Sequence, residues 1–509
     1  MKKGYQFILI IASSILLILS FPDFNLEFLA WIALIPLLFA IEGAQPRKAF
    51  LLSYLCGFLF FLGTIYWLIH VTLPGMVAVV AYLALYFGFF GLIISRAPRL
   101  KSYTLLFFIP AAWTALELVR SHLLGGFGWN LLGYSQSFNL PVIQIADITG
   151  AYGVSFLVCL ANAAIFLTIK DLKNKDATFK CLAIALVLIF ISVGYGVYRV
   201  RNIFTGERVR IAVIQGNIPQ AKKWDVNFRE AILSKYESLT RQAANNKVDL
   251  VIWPETSVPG FLETDRDLLE RMRELAKSIK SPIFAGAPAE DGDQYYNSAL
   301  LISEDGQILG RYDKMHLVPF GEYVPFKKAL SFVERFAPSP IGDFSKGKSP
   351  TVFKFFIERS AKGDKTSWKL LKKVKFSCLI CFEDTFPGIA RGFVKQGATF
   401  LVNITNDAWF HKTNAAYQHA QASVFRAVEN RVNVVRAANT GLSCFIDQRG
   451  KITAEVKVGS DRLFVEGFEI HDIVLTNAKT LYTEYGDIFA YICVLFAAFG
   501  LVRARKISG

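Results

Sequence analysis

The sequence predicts a membrane α-helical bundle of about eight spans that carries an inserted α/β domain. Three observations lead there. Eight long apolar runs occur, seven before residue 200 and one after residue 484. Between the seventh and the eighth, about 270 residues return to soluble-type patterning in which strand-like and helix-like segments alternate. Lysine and arginine, finally, gather in every second loop between the runs.

The runs lie near 5–21, 28–43, 49–70, 74–95, 103–120, 150–170, 179–199 and 485–502. Most approach the ~20 apolar residues that cross a ~30 Å hydrocarbon core, and the first two are short. Hydrophobic residues make up 53% of the chain and aromatics 14%, with 45 Phe, which exceeds ordinary soluble usage. Met1-Lys2-Lys3 ahead of an apolar stretch resembles a signal peptide. Only Phe21-Pro22-Asp23-Phe24 follows it, with no small-x-small cleavage site, so a retained helix is expected.

Charge gives the orientation. Basic residues precede the first run and follow the second, fourth, sixth and eighth, whereas loops 22–27, 71–73 and 121–149 hold no Lys or Arg. Positive-inside bias then puts both termini in the cytoplasm and the insert outside. The expected domains are 1–200, 201–484 and 485–509. The cytoplasmic flanks hold fourteen basic residues against Glu42, Asp171 and Asp176, so eleven of the fifteen net positive charges reflect topology. A nucleic-acid partner loses its support with them. Seven cysteines without a spacing framework argue against a disulfide scaffold.

From Val209 the period changes. Strands are expected at 210–215, 248–253, 282–286, in a hairpin around Glu304-Asp305-Gly306, and near 374–381, 398–404, 432–437, 441–447 and 462–467. Helices are expected near 226–246, 264–279, 386–396 and 414–430, and 338–373 reads as loose. Three segments place reactive side chains at strand ends. In Trp253-Pro254-Glu255 a strand stops at a proline and presents a carboxylate. In Tyr312-Asp313-Lys314-Met315-His316-Leu317-Val318-Pro319-Phe320-Gly321-Glu322 a lysine lies between a strand and a proline-bounded apolar segment. In Cys378-Leu379-Ile380-Cys381-Phe382-Glu383-Asp384 a thiol sits at a strand-to-helix junction, where a helix N-terminus lowers thiol pKa. Singly, the glutamate reads as an exposed loop residue and the lysine as solvated. Together they make chemistry: a thiolate attacks a carbonyl, a carboxylate moves the proton, and an ammonium holds the oxyanion. Cys378 and Cys381 also spell C-x-x-C, but positions three apart on a strand face opposite ways, so neither a redox pair nor a metal site is expected.

These ordered motifs resemble the carbon–nitrogen hydrolase (nitrilase) superfamily, whose Glu–Lys–Cys triad falls on Glu255, Lys314 and Cys381. With seven helices before the insert and one after, the whole chain resembles the bacterial apolipoprotein N-acyltransferase family. The resemblance implies an α-β-β-α sandwich, no cofactor, and a location in the bacterial inner membrane with the insert periplasmic. It implies a thioester on Cys381, charged by a phospholipid donor and discharged onto a diacylglyceryl apolipoprotein. It also assigns accessory places to Glu322, Glu383 and Trp224. Phe382 departs from the tyrosine often found beside the nucleophile, which leaves only its backbone N–H as an oxyanion donor.

Other features read more plainly. His316 is expected to be packed, and Glu117 with Arg120 to form a local i,i+3 pair. Asn406-Asp407-Ala408-Trp409-Phe410 either lines the pocket mouth or forms an Asx-turn. The 121–149 loop reads as an apolar flap, and Arg359 to Lys375 as a basic face, solvated or set against anionic headgroups. Two other classes use the same features. A membrane-anchored amidase or nitrilase would need only one span, and a transporter or scaffold would need ionisable residues within its spans.

Overall fold

The computed structural model describes residues 3–97, 100–171, 175–202, 205–319, 321–323, 343–361 and 368–508. The chain divides into two compact units. One comprises Met1–Ile203, Tyr417–Glu429 and Thr480–Gly509, the other Phe204–Ala416 and Asn430–Lys479.

The first unit is helical. Among the described residues, five helices are long and apolar enough to cross a membrane: Pro46–Thr64, Leu73–Ser95, Ser102–Arg120, Ala151–Lys170 and Phe179–Arg201. The first and last expected spans appear as the shorter apolar helices Gly4–Leu19 and Ile488–Ala504. The run at 28–43 is broken into a 3-10 turn, Glu27–Trp31, and a seven-residue helix, Ile35–Ile41, with Pro36 in its first turn. Residues 129–137 are buried in this unit instead of forming a flap, leaving Leu123 and Leu124 exposed beside them. The hydrogen bonds of Glu117 and Arg120 also differ from expectation. Glu117 accepts from Trp113 Nε1 (2.9 Å) and Leu132 N (2.7 Å), while Arg120 donates to the carbonyls of Trp129 and Asn130.

Helix Ala415–Asn430 appears where its periodicity put it, yet residues 417–429 cluster with this helical unit. Its polar residues explain the placement. Gln418 accepts from Trp67 Nε1 and Trp129 Nε1 and donates to Thr64 O. The fully buried Arg426–Glu429 pair closes at 2.8 Å, and Glu429 also accepts the Ala151 N–H.

The second unit holds two six-stranded sheets. The first runs β12-β1-β2-β3-β4-β5 and the second β11-β10-β9-β8-β7-β6. Their strands are β1 Arg208–Gln215, β2 Leu250–Ile252, β3 Ile283–Asp291, β4 Gln294–Ile302, β5 Ile308–Asp313, β6 Phe353–Ala361, β7 Trp368–Ile380, β8 Phe400–Thr405, β9 Asn433–Ala438, β10 Cys444–Ile446, β11 Ile452–Glu455 and β12 Gly467–Val474. Each sheet has a parallel centre, β1-β2-β3 or β7-β8-β9, continued by antiparallel strands. The sheets meet through aromatic rings, with Phe284 on β3 lying 4.9 Å from Phe353 and 5.1 Å from Phe376. Helices Arg229–Ala244 and Arg266–Ile279 seal the other face of the first sheet, burying Leu233, Tyr236, Met272 and Leu275 against Ile214, Trp253 and Ile283.

Two expectations change. The strand read at 462–467 begins only at Gly467, because Phe464 takes a left-handed φ of 56° and its N–H bonds to Thr440 O. Part of the loose stretch 338–373 is a hairpin instead. Phe353, Phe355 and Ile357 are buried in alternation with exposed Lys354, Phe356 and Glu358, and β6 pairs antiparallel with β7. Residues 338–342 and 362–367 lie outside the described residues.

Candidate active site

Parallel strands end together, so the loops that follow them converge. Glu255 follows β2, Lys314 follows β5 and Cys381 follows β7. Glu255 is 7% exposed and held by close backbone contact, since a Cβ on Gly286 would come within 2.7 Å of the Glu255 Cα. Thr256 beside it takes φ 44°. Lys314 is buried, and its N–H bonds to Asn297 O at 2.9 Å. Its Nζ lies 2.8 Å from Glu322 Oε1 and 3.7 Å from Glu255 Oε1. Burial opposes the ammonium, but the two carboxylates win and hold its pKa above the usual lysine range.

Cys381 has φ 55°, a left-handed conformation costly for any residue with a Cβ. Its carbonyl accepts Asn403 Nδ2 at 3.0 Å, and Asn403 Oδ1 in turn accepts from Arg436, whose guanidinium pairs with buried Asp384 at 2.8 Å. Cys381 is thus fixed by its backbone. Its thiol reverses the expectation of a lowered pKa. Burial and then the Glu255 carboxylate push it up, while the Lys314 ammonium and a hydrogen bond to Thr405 oppose them. A 3-10 turn, Cys381–Thr385, separates the sulfur from the helix that begins at Pro387, so that helix terminus is not at the thiol.

Glu322 joins the site directly, its second oxygen accepting the Val318 N–H at 2.8 Å. Glu383 does something else. It is fully buried and accepts from Tyr312 OH, Met315 N, His316 N and Ile380 N, tying the lysine loop to the cysteine loop. Burial raises its pKa to about 7. Trp224 is half-exposed, and the Phe382 ring packs 5.0 Å from Phe386. His316 packs tilted against Phe386, ring centroids 3.7 Å apart. Asn406 spans loops through Gln220 and Asn439.

Two residues escaped the sequence reading. Asn297 on β4 donates from Nδ2 to both Glu255 Oε1 (2.7 Å) and Glu322 Oε1 (2.9 Å), holding the carboxylates together. Lys223, passed over beside Trp224, is buried, and its Nζ donates to Glu255 O at 2.9 Å. The only signals for them were a polar residue within an apolar strand and the first basic residue before a tryptophan.

The two-sheet fold and the strand-end carboxylate, ammonium and thiol define a carbon–nitrogen hydrolase superfamily domain, and the carbon-nitrogen hydrolase model matches residues 210–466. Residues 13–164 match the apolipoprotein N-acyltransferase N-terminal domain. An apolipoprotein N-acyltransferase from Geobacter metallireducens is 40% identical over 97% of this chain and 94% of its own. One from Chlorobaculum tepidum is 31% identical over 98% and 97%. The chain belongs to the apolipoprotein N-acyltransferase family. Among solved structures, an amidase from Nesterenkonia sp. aligns over 56% of this chain and 95% of its own, at 20% identity and a TM-score of 0.38.

Proposed function

We propose that this chain moves an acyl group from a phospholipid to the α-amino group of a diacylglyceryl-cysteine apolipoprotein, through a thioester on Cys381. The observation that carries the roles is the shared geometry of three strand ends. Lys314 is placed by Glu255 and Glu322, and Glu255 and Lys314 both act electrostatically on the Cys381 sulfur.

In the first half-reaction the Cys381 proton passes to the Glu255 carboxylate as sulfur attacks the ester carbonyl. The Lys314 ammonium stabilises the oxyanion that develops. The C–O bond then breaks, and Glu255 returns its proton to the departing lysophospholipid oxygen. In the second half the acceptor amine attacks the thioester carbonyl and gives a proton to Glu255. The C–S bond breaks, the amide forms and the proton returns to sulfur. Both substrates use one carbonyl position in turn, so double-reciprocal plots with donor and acceptor varied together are expected to be parallel. Intersecting lines would indicate direct transfer.

Mass spectrometry of the detergent-solubilised protein, incubated with phospholipid and no acceptor, tests the central step. A fatty-acyl mass on the Cys381 peptide is expected. Its absence, with transfer still occurring when acceptor is added, would overturn the thioester. The alternating basic loops support a periplasmic insert with both termini cytoplasmic. A reporter fused after residue 350 that is active only in the cytoplasm would contradict it.

A further inference from the structure

We infer that residues 343–348 form a strap that positions Lys314 and Glu322, and that Gly347 is the positioning residue that lets the strap close on them. This rests on Lys314 serving as oxyanion donor in the proposed reaction.

Strand β5 pairs with β4 as far as Asp313, opposite Ser298, and its ladder stops there. The strap takes the next place along β4. Phe344 bridges Tyr295 in parallel, and the Ser345 N–H donates to Tyr295 O at 2.7 Å. Two further bonds land on the site itself. The Phe344 N–H donates to Glu322 O at 3.1 Å, and the Gly347 N–H to Lys314 O at 2.8 Å. Among the described residues, no other segment donates to both of these carbonyls.

Lys314 and Glu322 stand eight residues apart, so no local repeat fixes the reach of their ion pair. A lysine stem is flexible and does not aim itself. The strap supplies the missing constraint, because its two donors are three residues apart and span at most about 11 Å. The Lys314 N–H also donates to Asn297 O at 2.9 Å, so β4 holds one side of this residue and the strap the other. From that frame Nζ meets Glu322 Oε1 at 2.8 Å and lies 3.7 Å from Glu255 Oε1. Closing a sheet edge would need only the contacts with Tyr295. The other two bonds fall on the ion-paired residues.

The close approach requires glycine. A Cβ on Gly347 would lie 2.0 Å from Asp313 O and 2.7 Å from Asp313 C. Asp313 is anchored against such a push, since it pairs with Ser298 and its carboxylate accepts from Ser298 Oγ and Arg311 Nε. The strap must retreat instead. Restoring an ordinary contact of ~3.5 Å moves it by more than ~1 Å, which breaks the bond to Lys314 O.

The test uses the full chain in detergent. Gly347→Ala is compared with Gly392→Ala, the same change on helix Pro387–Lys395, where an added Cβ meets nothing within 4 Å. Single-turnover acylation from phospholipid gives a limiting rate and a donor half-saturation. Hydrogen exchange of the 314–323 peptide reads the loop without acyl chemistry. In Gly347→Ala the limiting rate should fall about tenfold to a hundredfold, with half-saturation within about twofold, as expected for a ~1 Å misplacement. Exchange should quicken about tenfold, and Gly392→Ala should leave both readouts unaltered. Phe344→Pro removes the N–H that Glu322 O accepts and should repeat the loss, whereas Phe344→Leu keeps the N–H and should not. If Gly347→Ala failed to fold, this second pair would decide the matter by the same readouts. An unmoved limiting rate in Gly347→Ala would overturn the inference. So would a loss confined to half-saturation, which would make the strap part of donor binding. Equal losses in Phe344→Pro and Phe344→Leu would also overturn it, because the ring and not the N–H would be at work. If the unaltered chain formed no acyl-enzyme while Gly347→Ala still quickened exchange, the transfer chemistry would fail and the strap's hold on the loop would stand.

Discussion

The two sheets make unequal contributions to one site. From the β12-β1-β2-β3-β4-β5 sheet and its loops come Glu255, Lys314, Glu322 and Asn297, groups that carry charge or fix it. From the β11-β10-β9-β8-β7-β6 sheet comes a single sulfur on a left-handed residue, held by Asn403 and, through it, by the buried Asp384–Arg436 pair. Charge is distributed over several partners and can be weakened in steps. The proposed nucleophile is a single atom, and its loss should be total.

The sharpest test of that contrast is Cys381→Ala. Acyl-enzyme and transfer are expected to vanish in a mass-spectrometric and radiolabel assay, and near-normal turnover would end the distinction. On the other sheet the losses should be large but partial. Glu255→Gln removes the proposed proton carrier, for an expected fall of ~10²–10⁴ in rate, and Lys314→Met removes the proposed oxyanion donor, for ~10²–10³. Single-turnover acylation measures both, and loss as complete as in Cys381→Ala would erase the graded character claimed for this side.

Glu383 bridges the two sides, and its effect should appear in stability. Its folded pKa of about 7 lies above the ordinary carboxylate value, so the folded state holds the extra proton between roughly pH 4.5 and 7. Stability from this group is fully present below that window and is lost as pH rises through it. Glu383→Gln should lower Tm, because one carboxylate that accepts four donors is lost, and should flatten this part of the Tm–pH curve. An unchanged slope would mean that Glu383 does not titrate there. The smallest effect is expected from Cys378→Ala. That sulfur is buried within β7, so about 1 kcal/mol of stability should go while acylation stays within a few-fold.

What the sequence made legible follows from where each residue sits. Glu255 and Cys381 stood out because an apolar strand stops at each and a polar side chain follows, and Lys314 because it lies between a strand and a proline-bounded apolar segment. Asn297 did not, because it lies within the apolar run of β4, where one asparagine resembles a tolerated hairpin residue; only the fold brings it to two glutamates. Lys223 was hidden by the opposite effect, since two adjacent lysines look solvated. Strand β6 was obscured because Phe356 interrupts its alternation, standing as an apolar residue on the exposed side between Lys354 and Glu358. The direction of the thiol shift was misjudged because helix position could be read from the sequence, whereas burial and the nearness of Glu255 to the sulfur could not.

Helix Ala415–Asn430 has a bearing on how this protein can be divided. Its sequence lies within the catalytic insert, yet residues 417–429 fold with the helical unit, where Phe425 meets Tyr134 and Glu429 meets the Ala151 N–H. A gene fragment running from 204 to 479 would therefore express a helix with its apolar residues uncovered and a buried Arg–Glu pair stripped of its surroundings. Such a fragment should aggregate. In the terms of modular evolution the insert is not a cassette: its reading frame and its folding unit have different borders, and shuffling this domain onto another anchor would require the recipient to supply a replacement surface for that helix.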